Sequence, residues 1–254
     1  MRTVNAARYV TPLREGGSLP AIIEADDDGM YVLKFRGAGQ GAKALIAELI
    51  AGELARAAGF LVPELVFVAL DPELAKTEPD PEIQDLIRAS GGINLGLDYL
   101  PGSVMFDPVA DKPDGELASR IVWFDAYVTN VDRTARNANM LMWHRKLWLI
   151  DHGAALYFQH TWTDMDRRSK DPFALIKDHI LLPFASALET ADEAMTARLT
   201  EDVIKQTIDL VPEDWLNEDT RFTTIAAHRQ AYVEYLTKRL AAPRNFVEEA
   251  IRAR

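Results

Sequence analysis

The chain of 254 residues contains no cysteine. That absence excludes disulfide staples, thiolate zinc sites and a cysteine nucleophile. It fits a reducing compartment, so the expected location is cytoplasmic. Long apolar runs are also lacking. Glu48, Glu53 and Glu64 interrupt the longest candidates, and none approaches the ~20 residues that a membrane helix needs. The opening segment from Met1 to Arg8 has no apolar core of a secretory leader. Positive charge is in deficit: the formal net charge is −11, a field that repels nucleic acid unless a basic stripe overrides it. The densest basic cluster, Arg167-Arg168-Ser169-Lys170, lies among Asp164, Asp166 and Asp171, so general nucleic-acid binding is not expected. There is no Gly-x-Ser-x-Gly elbow and no His-x-x-x-His pair, which argues against a serine hydrolase and a zinc protease.

What is present reads as a globular protein, 48% hydrophobic and 26% charged. Residues 20–25 and 30–35 have the character of short strands, with Asp26-Asp27-Asp28-Gly29 as the turn of a hairpin. Residues 39–59 read as a helix with Gly59 as its C-terminal cap, and residues 64–70 as a further strand. Residues 71–85, rich in Pro, Asp and Glu, read as a solvated loop or a loop leading into a short helix. A strand over 93–100 ends at Pro101-Gly102, a natural hinge. Beyond it, Leu117, Ile121, Phe124 and Val128 recur at helical spacing and mark one buried face. A polar loop over 130–137 follows, then strand-like runs over 139–143 and 146–150, then amphipathic helices from about Pro172. The expected fold class is α+β and bilobal: a β-rich N-terminal lobe with one helix over 1–100, and a mainly helical lobe over 101–254.

The chemistry concentrates in Asn130-Val131-Asp132-Arg133-Thr134-Ala135-Arg136-Asn137 and in Leu149-Ile150-Asp151-His152-Gly153. An aspartate is followed by an asparagine five residues later, and a second aspartate ends an apolar strand just before His-Gly. Phosphoryl transfer needs a carboxylate that accepts or orients the nucleophile's proton. It also needs an amide oxygen and a second carboxylate to hold a hard divalent cation on the phosphates. Asp132 takes the first role; Asn137 and Asp151 are the candidate metal ligands. Each residue alone is equally at home in a turn; it is their combination that points to chemistry.

These stretches resemble the HipA-like kinases, bacterial relatives of the HipA toxin kinase and, more distantly, of phosphatidylinositol kinases. The likeness is carried by Asn130-Val131-Asp132-Arg133 with Asn137, by residues 149–158, and upstream by Gly16-Gly17-Ser18-Leu19-Pro20, Tyr31-Val32-Leu33-Lys34-Phe35 and residues 96–102. The resemblance implies a protein-kinase-like fold using ATP and Mg2+. It makes Lys34 the lysine that holds the α- and β-phosphates. Glu48 becomes its partner, on a helix face where Ala44, Gly52 and Ala55 are small enough for close approach. Gly16, Gly17 and Ser18 would cover the phosphates, and the backbone of Asp98, Tyr99 and Leu100 would read adenine. Thr134 stands where the toxin relatives often carry histidine, and His152 where ordinary protein kinases carry the Phe of Asp-Phe-Gly. The chain also starts close to the nucleotide lobe, so docking of an antitoxin does not carry over.

Three functions follow. The first is a serine/threonine protein kinase that phosphorylates an unknown protein acceptor or itself. The second is a catalytically silent kinase-shaped module that binds nucleotide or a partner. The third is a small-molecule or lipid kinase, for which the acidic balance and the lack of a basic amphipathic helix are unfavourable.

Overall fold

In the computed structural model, which describes residues 1–13 and 19–254, the N-terminal part is a small β-barrel. Its strands are β1 (Thr3–Pro12), β2 (Ala21–Ala25), β3 (Met30–Lys34), β4 (Leu65–Leu70) and β5 (Gly92–Asp98). They run in the order β1-β2-β3-β5-β4, and β1 closes the barrel by pairing parallel to β4, with Thr3 opposite Phe67. The hairpin of β2 and β3 sets Ala21 against Leu33 and Ile23 against Tyr31, turning at Asp26–Gly29 with Asp28 at φ +62°. Strand β1 has no counterpart in the sequence reading. It buries only Val4 fully, so it lacks the period-two signature. Its order comes from ladder partners on both sides.

Alternation along β3 sorts its side chains. Tyr31 and Leu33 point into the barrel core with Ile23, Val66 and Val68. Val32 points the other way, toward the larger core, and Lys34 shares that face by the two-residue period of a strand. Helix α1 (Ala42–Ala57) packs there, buried on almost every side, as expected of a helix that is apolar all round. It starts at Gly41, whose φ of +63° suits glycine. Residues 71–85 are more ordered than a solvated loop. A 3-10 turn over Pro72–Thr77 leads into α2 (Pro81–Ala89), and Asp71 and Asp80 cap them by accepting from Glu73 N (2.9 Å) and Glu82 N (3.0 Å). Proline in the first turn of each serves a position that needs no amide donor.

After the Pro101-Gly102 turn, where Gly102 has φ +74°, comes a three-stranded sheet in the order β6 (Val104–Met105), β7 (Met140–Trp143), β8 (Lys146–Leu149). Helix α3 (Gly115–Tyr127) lies between β6 and β7 in sequence, capped by Asp114, which accepts from Leu117 N (3.0 Å). The remainder is helical: α4 (Met165–Ser169), α5 (Leu188–Arg198), α6 (Glu201–Asp209), α7 (Glu213–Leu216), α8 (Ile225–Leu240) and α9 (Asn245–Ala253). A single apolar core runs from α1 through α3 to α8 and α9. Among the bonds that tie the helical part to the barrel side, Trp215 Nε1 donates to Ile93 O (3.0 Å), Arg198 Nη1 to Ala58 O (2.5 Å) and Arg36 Nε to Glu218 Oε1 (2.6 Å). No helix among the described residues is long and apolar enough to cross a membrane.

Candidate active site

Three elements converge at Lys34. From the end of β3, its Nζ donates to Glu48 Oε2 on α1 at 2.9 Å and also contacts Asp151 Oδ1. Glu48 is completely buried, and it can be so only because an ammonium meets it. Burial would lower the pKa of Lys34, but the Glu48 and Asp151 carboxylates outweigh burial and hold it above the usual lysine value. Burial would likewise raise the Glu48 pKa; the Lys34 ammonium and His152 overcome this and keep the carboxyl far below the usual range.

The small face of α1 receives more than the strand. A Cβ on Gly52 would come within 2.8 Å of Leu65 Cδ1 and 4.0 Å of His152 Nδ1, and a Cβ on Gly153 within 3.6 Å of both Ala44 O and Glu48 Oε2. The Asp151-His152-Gly153 turn therefore rests on Ala44, Glu48 and Gly52. His152 is fully buried, with Nδ1 3.5 Å from Glu48 Oε1 and its ring edge-on to Phe124. Asp151 stands at φ +55°, a conformation Asp adopts more readily than most residues because its short polar side chain can hydrogen-bond locally and offset the Cβ clash.

The loop carrying Asp132 is a tight reversal. Thr134 and Asn137 exchange backbone bonds (2.9 and 3.1 Å), so the chain doubles back. Asn137 Nδ2 then donates to Asp132 Oδ2 at 2.7 Å. That bond turns the amide oxygen of Asn137 away from Asp132. Strand β7 pairs with β8, Met140 opposite Leu149, and Ile150 N donates to Asn139 O (3.1 Å). The hairpin thus carries the Asp132–Asn137 loop and Asp151 at one end. The amide oxygen of Asn137 and the carboxylate of Asp151 are oxygen donors of the kind suited to a hard divalent cation.

Asp125 and His179, which brace this loop together with Asn130, Arg133 and Asn139 of the loop itself, escaped the sequence reading. Asp125, fully buried on α3, accepts from Arg133 Nε (2.6 Å), His179 Nε2 (2.8 Å) and Asn130 Nδ2 (3.0 Å). His179 Nδ1 accepts from Leu181 N (3.0 Å), so the proton sits on Nε2, facing Asp125. Arg133 also donates to Asn139 O, and Asn139 Nδ2 to Asp132 O (3.3 Å). Burial would raise the Asp125 pKa; Arg133 and His179 overcome it and hold the carboxyl far below its usual range. The signal was present: Asp125 lies four residues after Ile121, on the helix face marked as buried. His179 bridges to Thr134, so an imidazole braces the loop from a distant segment rather than from position 134.

The remaining candidates lie along the barrel. Asp98 and Tyr99 donate their backbone amides to Glu64 O (2.9 Å) and Met30 O (3.0 Å). Tyr31 pairs with Asp98, three residues along β3 from Lys34. Gly16, Gly17 and Ser18 lie outside the described residues.

The fold has known counterparts. The Helicobacter pylori proinflammatory kinase CtkA aligns over 94% of this chain and 92% of its own, with a TM-score of 0.53 at 13% identity. The Golgi casein kinase aligns over 98% of this chain and 74% of its own, with a TM-score of 0.51 at 12% identity. A structure of that kinase with Mn/ADP bound gives 0.52 at the same identity. At such identity the likeness establishes a kinase fold and nothing finer. No curated protein matches the chain. The family model described as HipA-like kinase matches residues 7–248, nearly the full length, and the chain belongs to the HipA-like kinase family.

Proposed function

We propose that this protein transfers the γ-phosphoryl group of ATP, with Mg2+, to a hydroxyl of a protein acceptor or of itself. The observation that carries the reading is the junction at Lys34: one ammonium joins a buried glutamate of α1 to Asp151, beside the loop where Asn137 holds Asp132. The lobes divide near residue 100, and the cleft between them takes the nucleotide. Lys34 binds phosphate oxygens and Glu48 fixes its position. Asn137 Oδ1 and Asp151 hold the cation, which when bound neutralises charge on the phosphates. Asp132 orients the acceptor hydroxyl and takes its proton. The strand end at Asp98, Tyr99 and Leu100 reads adenine through backbone groups, and Gly16-Gly17-Ser18 covers the phosphates. The Golgi casein kinase neighbour with Mn/ADP bound supports nucleotide and divalent-cation use.

The test is incubation of the purified chain with γ-labelled ATP and Mg2+, alone, with generic protein acceptors and with a metabolite panel. Label should move to protein hydroxyls, and Asp132→Ala and Asp151→Ala should each cut transfer by at least ~100-fold, the lower range for loss of a general base. Equal transfer by either variant refutes the assignment. ATP binding without transfer to any acceptor identifies a silent module, and transfer confined to a metabolite identifies a small-molecule kinase.

A further inference from the structure

The segment beyond Gly153 contains charge that the proposed chemistry does not use. It passes through a 3-10 turn over Tyr157–His160, closed by Thr161 N donating to Phe158 O (3.1 Å), and then enters α4. Thr161 is exposed. Arg168 reaches back from α4, and its Nη1 donates to Thr161 Oγ1 (2.5 Å), Phe158 O (3.3 Å) and Thr161 O (3.4 Å).

The neighbouring cations already have carboxylates. Arg167 lies 3.6 Å from Asp164, Lys170 and Lys238 lie 3.5 and 2.9 Å from Asp166, and Lys43 and Arg221 share Asp219. Arg168 has no carboxylate partner among the described residues, although Asp164 and Asp166 are close in sequence. At His160, one residue before Thr161, burial and then the charges of Lys43, Arg221 and Arg168 hold the imidazole pKa below its usual value. An unneutralised guanidinium held against an exposed hydroxyl is suited to receive an oxyanion on that hydroxyl, since guanidinium–phosphate bonds are among the strongest charge-assisted pairs.

We propose that Thr161 is a self-phosphorylation site whose phosphate is received by Arg168. The proposal rests on the kinase reading above. Thr161 Oγ1 attacks the γ-phosphorus of ATP and a P–Oγ1 bond forms. The bond from the γ-phosphorus to the β,γ-bridging oxygen breaks, ADP leaves, and the hydroxyl proton passes to Asp132 of the acting copy and on to water. The product adds a charge of about −1.5 to −2 at neutral pH beside a cation already in place.

The experiment has two arms. In the first, the full chain is incubated with ATP and Mg2+, with a generic protein acceptor present, and its phosphopeptides are mapped by mass spectrometry. Phosphate on Thr161, absent from Thr161→Val, is the expected result. Phosphate at Ser18 or other hydroxyls, or on the added acceptor, with Thr161 unmodified overturns the proposal and leaves the kinase reading standing. No phosphate on any protein ends both. In the second arm, phosphothreonine is installed at position 161 during translation of the full chain. Tm should rise by roughly 2–4 °C, and the rise should vanish in Arg168→Gln. An unchanged or lowered Tm, or an equal rise in Arg168→Gln, overturns Arg168 as the receptor.

Discussion

Replacing Asp125 by alanine should destabilise this protein strongly, although the residue is assigned no part in phosphate chemistry. The carboxylate is wholly buried and accepts from Arg133, His179 and Asn130 at 2.6, 2.8 and 3.0 Å. Alanine leaves the buried Arg133 guanidinium with only the Asn139 carbonyl as partner, because its Nη2 already has none among the described residues. Removing one member of a buried ion pair typically costs about 3–5 kcal/mol. Against a total stability of roughly 5–15 kcal/mol, that is a large share, and it corresponds to a fall in Tm of roughly 6–20 °C for a chain of this size. Urea unfolding followed by circular dichroism gives the free energy directly. The double variant Asp125→Ala/Arg133→Met removes the stranded charge as well. It should be more stable than the sum of the single changes predicts, with a coupling of about 2 kcal/mol or more. A cost below about 1 kcal/mol for Asp125→Ala, or strict additivity, would refute the claim that this carboxylate is the electrostatic anchor of the loop.

Three further outcomes follow from the same structure. The depressed pKa of Asp125 contributes stability that is fully present above its unfolded value of about 3.9 and is lost as pH falls through the folded value. Acid unfolding should therefore steepen below about pH 4, and Asp125→Asn, followed by tryptophan fluorescence, should flatten that limb; an unchanged acid limb would count against the buried pair. Gly96→Ala should destabilise by about 1–3 kcal/mol through overpacking, because its Cβ would fall 2.8 Å from Val68 Cγ2 and 3.1 Å from Val66 Cγ2, both on stiff β-branched side chains. A neutral result in denaturant unfolding would mean the barrel interior can yield. Arg239→Met should cost at least about 3 kcal/mol, at 1.5–3 kcal/mol per bond to a charged group. Its guanidinium donates to the carbonyls of Ala126 and Tyr127 at the end of α3 and to those of Ser169 and Asp171. Hydrogen exchange in the Asn130–Asn139 loop should rise with it, and unchanged exchange there would separate the α3 terminus from the loop.

Local chemistry made much of the protein legible before its structure. The Asp-rich turn at 26–29, the helix ending before Gly59, the Pro101-Gly102 turn and the hairpin over 139–150 follow from short-range rules of turns and periodicity. So did the placing of Asp132, Asn137 and Asp151 on loops beside one hairpin. The pairing of Lys34 with Glu48 was also reachable, because small residues four before and four after Glu48 mark a face that something must approach closely. Tertiary structure alone decided the rest. Strand β1 has too few buried positions to announce itself and exists because the barrel needs an edge closed. Asp125 and His179 lie 54 residues apart, and nothing local says that a buried carboxylate on α3 will collect an imidazole from that distance. Short-range preferences are encoded residue by residue, whereas a buried charge finds its partner only when the packed core has chosen which distant segments share one dry volume.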